Sequence, residues 1–193
     1  MDLMEMISGE KLKQKLSEPN TLTMGRVAAI PLIVVLLYYP NRFCTFLAAM
    51  IFSAAAITDY LDGYLARTRG LESTFGKIMD PVADKLLVSS SFIMLVYHGW
   101  VPAWVVCIII GRELAVTGLR NIIAGKGEDV SASWLGKYKT GFQISAIIPL
   151  MIHYPFIGID VHVVGMFFLW GALVFTLWSG ADYFLKARHL FDA

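Results

Sequence analysis

The chain has 193 residues, 57% of them hydrophobic, 13% aromatic and only 16% charged, with a formal net charge of +1 at pH 7. Soluble domains carry about 25% charged residues, so this balance excludes a soluble enzyme, a disordered tail, a collagen-like repeat and a disulfide scaffold. The near-neutral charge offers no basic face for nucleic acid, and the composition is that of a membrane protein.

The first 18 residues lack an apolar run followed by a small-residue cleavage site. Within them Leu3, Met4, Ile7, Leu12 and Leu16 recur among acidic residues and lysines, which predicts an amphipathic helix lying on the membrane surface. A span needs about 20 mostly apolar residues, and six runs qualify: 22–39, 43–65, 78–97, 101–123, 135–155 and 161–185. Cys44 and Cys107 lie in apolar stretches without CxxC or zinc-ligand spacing, and read as small buried hydrophobes.

Turns near residues 39–41, 98–100 and 154–161 are short, nearly uncharged and aromatic, as befits a membrane interface. Of 16 Lys and Arg residues, only Arg42 falls toward those turns; the others gather at the opposite ends, apart from Lys85 and Arg112 inside spans. That asymmetry predicts both termini on the cytoplasmic side of the inner membrane. The expected architecture is all-α: one integral membrane domain over residues 1–193, with an interfacial helix (1–18) and a six-helix transmembrane bundle (19–193). His98, His153 and His162 fall at the outer ends, where they read as interface residues rather than ligands.

Ionisable groups inside a span cost about 2.5–3.5 kcal/mol each on insertion scales, yet here they cluster. Asp59 and Asp62 are spaced i, i+3 near the end of the second run, and Asp80 and Asp84 are spaced i, i+4 near the start of the third. Each pair shares one helix face. The joining segment is short, so the two helices are expected to be antiparallel neighbours with four carboxylates in one pocket. Such a set is either partly protonated, balanced by Arg67, Lys77 and Lys85, or occupied by cations. Hard oxygens without His or Cys favour Mg²⁺, Mn²⁺ or Ca²⁺. Two divalent ions among four carboxylates would suit phosphoryl chemistry. Gly63 and Ala66 keep the adjoining face open, Arg67 offers a fork for phosphate oxygens, and Gly76 permits close backbone approach. Pro81 marks either a helix start at Asp80 or an irregularity in a helix begun earlier.

Asp59, Asp62-Gly63, Ala66-Arg67, Gly76, Asp80 and Asp84 reproduce the pattern D-x2-D-G-x2-A-R-x8-G-x3-D-x3-D. Eight fixed positions coincide by chance with a probability on the order of 10⁻¹⁰ per starting position. The chain thus resembles the CDP-alcohol phosphotransferase family. The resemblance implies a six-span, homodimeric membrane enzyme that displaces CMP from a CDP-linked donor. It also implies two Mg²⁺ (or Mn²⁺) ions on Asp59, Asp62, Asp80 and Asp84, with Asp84 as the base toward the acceptor. Asp62, Gly63, Ala66, Arg67 and Gly76 would contact CDP.

For the acceptor, Arg112 stands about mid-membrane in the fourth run, where a guanidinium needs an anion. Glu113 points about 100° away on a helix and reads as a poor direct partner. A phosphate-bearing acceptor would supply the anion, with Lys137 and Lys139 reaching it from the rim. A carboxylate on another helix, and lysines that only mark the inner boundary, are the alternatives. Gly111-Arg112-Glu113, then Leu135-Gly136-Lys137-Tyr138-Lys139-Thr140 with Gln143, is similar to the branch that makes phosphatidylglycerophosphate. So is the entry Pro19-Asn20 into Leu22-Thr23-Met24-Gly25-Arg26. The substrates so implied are CDP-diacylglycerol and sn-glycerol 3-phosphate. Other expectations are an acceptor such as inositol phosphate, serine or phosphatidylglycerol, or a cation- or proton-coupled transporter. Transport fits poorly, because all four acids sit near one membrane face and only the loop residue Asp160 carries acid toward the other.

Overall fold

A computed structural model describes residues 19–69, 74–125, 134–155 and 158–186. The expected surface helix at 1–18 lies outside them. Six helices follow in order: α1 (Pro19–Tyr38), α2 (Arg42–Arg69), α3 (Thr74–Tyr97), α4 (Ala103–Gly125), α5 (Trp134–Ile152) and α6 (Val161–Lys186).

The turns explain the boundaries. Asn41 caps α2, its Oδ1 accepting the Cys44 backbone N–H at 2.9 Å. Asp160 caps α6 through the His162 N–H at 3.0 Å. At the end of α3, Gly99 takes φ +70°, and Gly99 N–H and Trp100 N–H return to the carbonyls of Val96 and Leu95 at 2.9 and 3.0 Å. This paired closure satisfies carbonyls that the helix end would otherwise strand. His153, at φ 57°, ends α5 in a left-handed conformation uncommon outside glycine. The fifth helix therefore stops at Ile152, short of the 155 expected from apolarity alone. Pro81 sits inside α3, which begins earlier at Thr74.

α5 and α6 share the most extensive packing, α1 packs on both α2 and α3, and α5 reaches across to α2 and α3. Phe52, Phe92, Leu95, Ile109, Ile147, Leu150 and Leu169 are fully buried between them. The exterior is apolar as well: Met50, Leu86, Leu114, Phe167 and Trp178 are all exposed. A water-soluble monomer rarely presents large side chains this way round its whole girth; lipid accommodates them. Val161–Leu185 is long and apolar enough to cross a bilayer, and Met24–Tyr38 and Arg42–Thr58 are shorter apolar stretches. The other helices carry the ionisable residues singled out above, which shorten their apolar runs.

At the aromatic end the three turns are laced together. Tyr154 Oη donates to Pro40 O at 2.6 Å, His98 Nε2 lies 2.7 Å from Leu37 O, and Trp100 stacks between His98 and His153. Arg42 lies over the Tyr154 ring, its guanidinium carbon 5.4 Å from the centroid. His98 thus joins a polar contact to its stacking, and His153 contributes a ring face.

Candidate active site

The site lies toward the opposite end. The last turns of α2 carry Asp59, Asp62, Gly63, Ala66 and Arg67, and the first turn of α3 carries Gly76; their side chains lie outside the described set. Asp80 and Asp84 follow one turn apart on α3, both partly buried. Arg26 reaches Asp80 from α1: its Nη2 donates to Oδ1 at 3.1 Å, with the arginine side chain 4% exposed. Lys85 donates to the Pro81 carbonyl at 3.3 Å, so it satisfies a helix carbonyl of its own preceding turn.

Asp84 is coupled to the second half of the site: its carboxylate lies within electrostatic reach of Lys139 on α5, as does Arg112 on α4. Lys139 is 5% exposed and its Nζ donates to Glu113 Oε1. The same oxygen accepts Arg112 Nη1 at 3.1 Å. Arg112 Nη2 donates to Ser179 Oγ on α6 at 2.8 Å, and its stem lies against Gly180, where a Cβ would stand 3.2 Å from Cγ. The Tyr183 ring, 5.9 Å from the guanidinium carbon, covers the other side. Three helices thus supply one cationic pocket next to the acid pair. Lys137 belongs to the first turn of α5, with its side chain outside the described set.

The expected independence of Arg112 from Glu113 does not hold. Consecutive side chains leave a helix about 100° apart, but Arg and Glu are long enough to bend around the cylinder and meet. Arg26, counted in the sequence only among the cations at the charged ends of the spans, is buried and paired with Asp80. The available signal was its register, since Arg26, Ile33 and Leu37 share the buried stripe of α1. Ser179 went unmarked, because a serine in an apolar helix carries no signal without knowledge of its neighbour.

Among the described residues, no three His, Cys, Asp or Glu side chains converge on one point. Asp80 and Asp84 nevertheless fit a hard divalent ion by donor chemistry, offering carboxylate oxygens with no soft or imidazole donor beside them among the described residues. An acid pair joined to a buried cationic pocket is what handling a pyrophosphate donor and an anionic acceptor requires.

The family model for CDP-alcohol phosphatidyltransferase matches residues 16–178, and the chain belongs to that family of membrane-associated transferases. Among curated proteins, it is 42% identical over 188 residues to the CDP-diacylglycerol–glycerol-3-phosphate 3-phosphatidyltransferase of Bacillus subtilis strain 168, covering 87% of this chain and 93% of that one. It is 39% identical over 174 residues to the protein of the same name from Escherichia coli K12, covering 88% and 94%.

Proposed function

We propose that the chain transfers the phosphatidyl group of CDP-diacylglycerol to sn-glycerol 3-phosphate, giving phosphatidylglycerophosphate and CMP. The observation that carries this reading is the buried Arg112–Glu113–Lys139 network, with Lys139 within electrostatic reach of Asp84. Acceptor phosphate needs buried, pre-oriented cations, and the hydroxyl to be activated must lie beside a base. The names of relatives at 39–42% identity support the same acceptor.

In this reading Arg112 and Lys139, with Lys137 at the rim, receive the acceptor phosphate. Glu113 holds the two cations in place until it arrives. Asp62, Gly63, Ala66, Arg67 and Gly76 hold the CDP portion, with small residues where the pyrophosphate passes close to the backbone. Asp59, Asp62, Asp80 and Asp84 would hold divalent ions, Mg²⁺ or Mn²⁺, which when bound supply charge neutralisation for the pyrophosphate and the leaving CMP. Asp84 accepts the proton of the attacking hydroxyl as its oxygen forms a bond to the lipid-side phosphorus. The bond from that phosphorus to CMP breaks on the opposite side. Arg26 orients Asp80 for its part.

The fold reading is a single domain over 1–193, six spans, both termini and the site facing the cytoplasm across the inner membrane, and a homodimer. The spans and their common orientation are supported by the gathering of the three aromatic turns at one end. Purified protein given CDP-diacylglycerol, glycerol 3-phosphate and Mg²⁺ is expected to release CMP. A panel with inositol phosphate, serine and phosphatidylglycerol tests the acceptor, and turnover with serine but not glycerol 3-phosphate would overturn the assignment.

A further inference from the structure

The Arg112–Glu113–Lys139 network is one end of a longer buried polar column. One turn along α5 from Lys139, Gln143 lies on the same inward face and is 3% exposed. One turn back along α6 from Ser179, Thr176 is fully buried, and Ser179 Oγ lies 3.3 Å from the Thr176 carbonyl oxygen. Both displacements run toward the end of the bundle that carries the α5–α6 turn. Gln143 Nε2 and Thr176 Oγ1 have no hydrogen-bond partner among the described residues. A buried donor left unmade costs stability that an apolar residue of similar shape would not. Their neighbours on the same faces are Ala146, Ile147 and Leu169, so apolar side chains are the local norm. Two polar groups without a partner among the described residues therefore sit one helical turn beyond the Arg112–Glu113–Lys139 network.

We propose that Gln143 and Thr176 form the hydroxyl-reading part of the acceptor site and determine its preference for a small phosphorylated polyol. The proposal rests on the reading that the acceptor is glycerol 3-phosphate. Three or four residues of helix advance about 4.5–6 Å, the scale that separates a phosphate from the central hydroxyl of a three-carbon chain. Glycerol 3-phosphate carries two hydroxyls: one attacks, and the other takes no part in bond making. The second is what a carboxamide N–H and a threonine hydroxyl can recognise, the amide donating to the carbinol oxygen and the threonine accepting its proton. A site whose buried polar groups await a hydroxyl discriminates strongly against an analogue lacking it.

The test compares glycerol 3-phosphate with 1,3-propanediol monophosphate, which lacks the central hydroxyl, in the full-length protein and in Gln143→Leu and Thr176→Val. The unsubstituted protein is expected to prefer glycerol 3-phosphate by about 100-fold in kcat/KM, and each variant to compress that preference to about 10-fold or less. The change should fall on KM for the glycerol phosphate, with KM for CDP-diacylglycerol little moved. Because the replaced groups have no partner among the described residues, both variants should melt at or above the unsubstituted temperature. Equal slowing of both acceptors, or a lowered melting temperature with preference intact, overturns the proposal and assigns the groups to packing or to a buried water. Failure of the unsubstituted protein to use glycerol 3-phosphate at all would instead overturn the functional reading, and this inference with it.

Discussion

Arg26 and Asp80 meet across 54 residues of chain, the guanidinium Nη2 of α1 donating to the carboxylate Oδ1 of α3 at 3.1 Å. Asp80 is itself 40% exposed, so water screens the pair and its net contribution to stability is small. Its consequence is orientation: one oxygen of the carboxylate is held by a buried guanidinium. Arg26→Met keeps the apolar stem and removes the fork. CMP release should fall about 10–100-fold, the range typical for partners that orient a metal ligand, and half-saturation by Mg²⁺ should move to higher concentration. Arg26→Lys should lie between. An unchanged Mg²⁺ titration in Arg26→Met would show that the contact does not serve the metal site.

Glu113 is the anion that keeps Arg112 and Lys139 compatible while the acceptor is absent. Replacing it with Gln removes the charge and leaves two cations side by side with little water. The protein should lose stability on the order of 3 kcal/mol, the usual consequence of removing one partner from a buried ion pair. Glycerol 3-phosphate or inorganic phosphate at millimolar concentration should recover part of this, because a ligand that binds the folded state stabilises it by mass action. Thermal melts with and without phosphate make the comparison. Equal shifts in Glu113→Gln and the unsubstituted protein would remove the phosphate pocket from the mechanism.

These two residues also mark what the sequence makes legible. Helices are announced by apolar runs interrupted at Pro40-Asn41, His98-Gly99 and Asp160, and each of those interruptions closes or caps a helix in the structure. The acid spacing on α2 and α3 is a local property, and local spacing survives into the fold. Pairings between helices are different. Arg26 meets Asp80, and Arg112 meets Ser179, because of how α1 packs on α3 and α4 on α6, and no periodicity encodes those matches. Glu113 failed for a subtler reason: the 100° rule describes where side chains start, and long side chains end elsewhere.

Asp84 is expected to carry the proton transfer, and its electrostatic coupling to Lys139 accords with that role. Asp84→Asn preserves shape and removes both the base and a hard anionic ligand. General-base loss alone is worth about 10²–10⁴-fold, so CMP release should fall by about 10³-fold or more. Chelation with EDTA should abolish release in the unsubstituted protein, and Mg²⁺ should restore it. CMP release that persists in Asp84→Asn at more than a tenth of the original rate would assign the base elsewhere.

The platform for the cationic pocket depends on how closely α5 approaches α6, and Gly171 sets that distance. A Cβ on Gly171 would stand 2.5 Å from two ring carbons of Phe142, and a Cβ on Gly165 would stand 2.6 Å from Leu150 Cγ and 3.0 Å from its backbone nitrogen. Small residues at such crossings let helix backbones pack closely within a membrane. Gly171→Ala should therefore destabilise by about 1–3 kcal/mol, the usual cost of overpacking. By contrast, Gly118 on α4 has open space around the added methyl, and Gly118→Ala should be neutral or stabilising by up to about 1 kcal/mol. Phe142→Leu vacates the ring that Gly171→Ala strikes. The double variant should melt above Gly171→Ala alone, a coupling that a double-mutant cycle isolates. Strict additivity of the two substitutions would mean that α5 and α6 are free to shift apart, and that glycine does not fix their spacing.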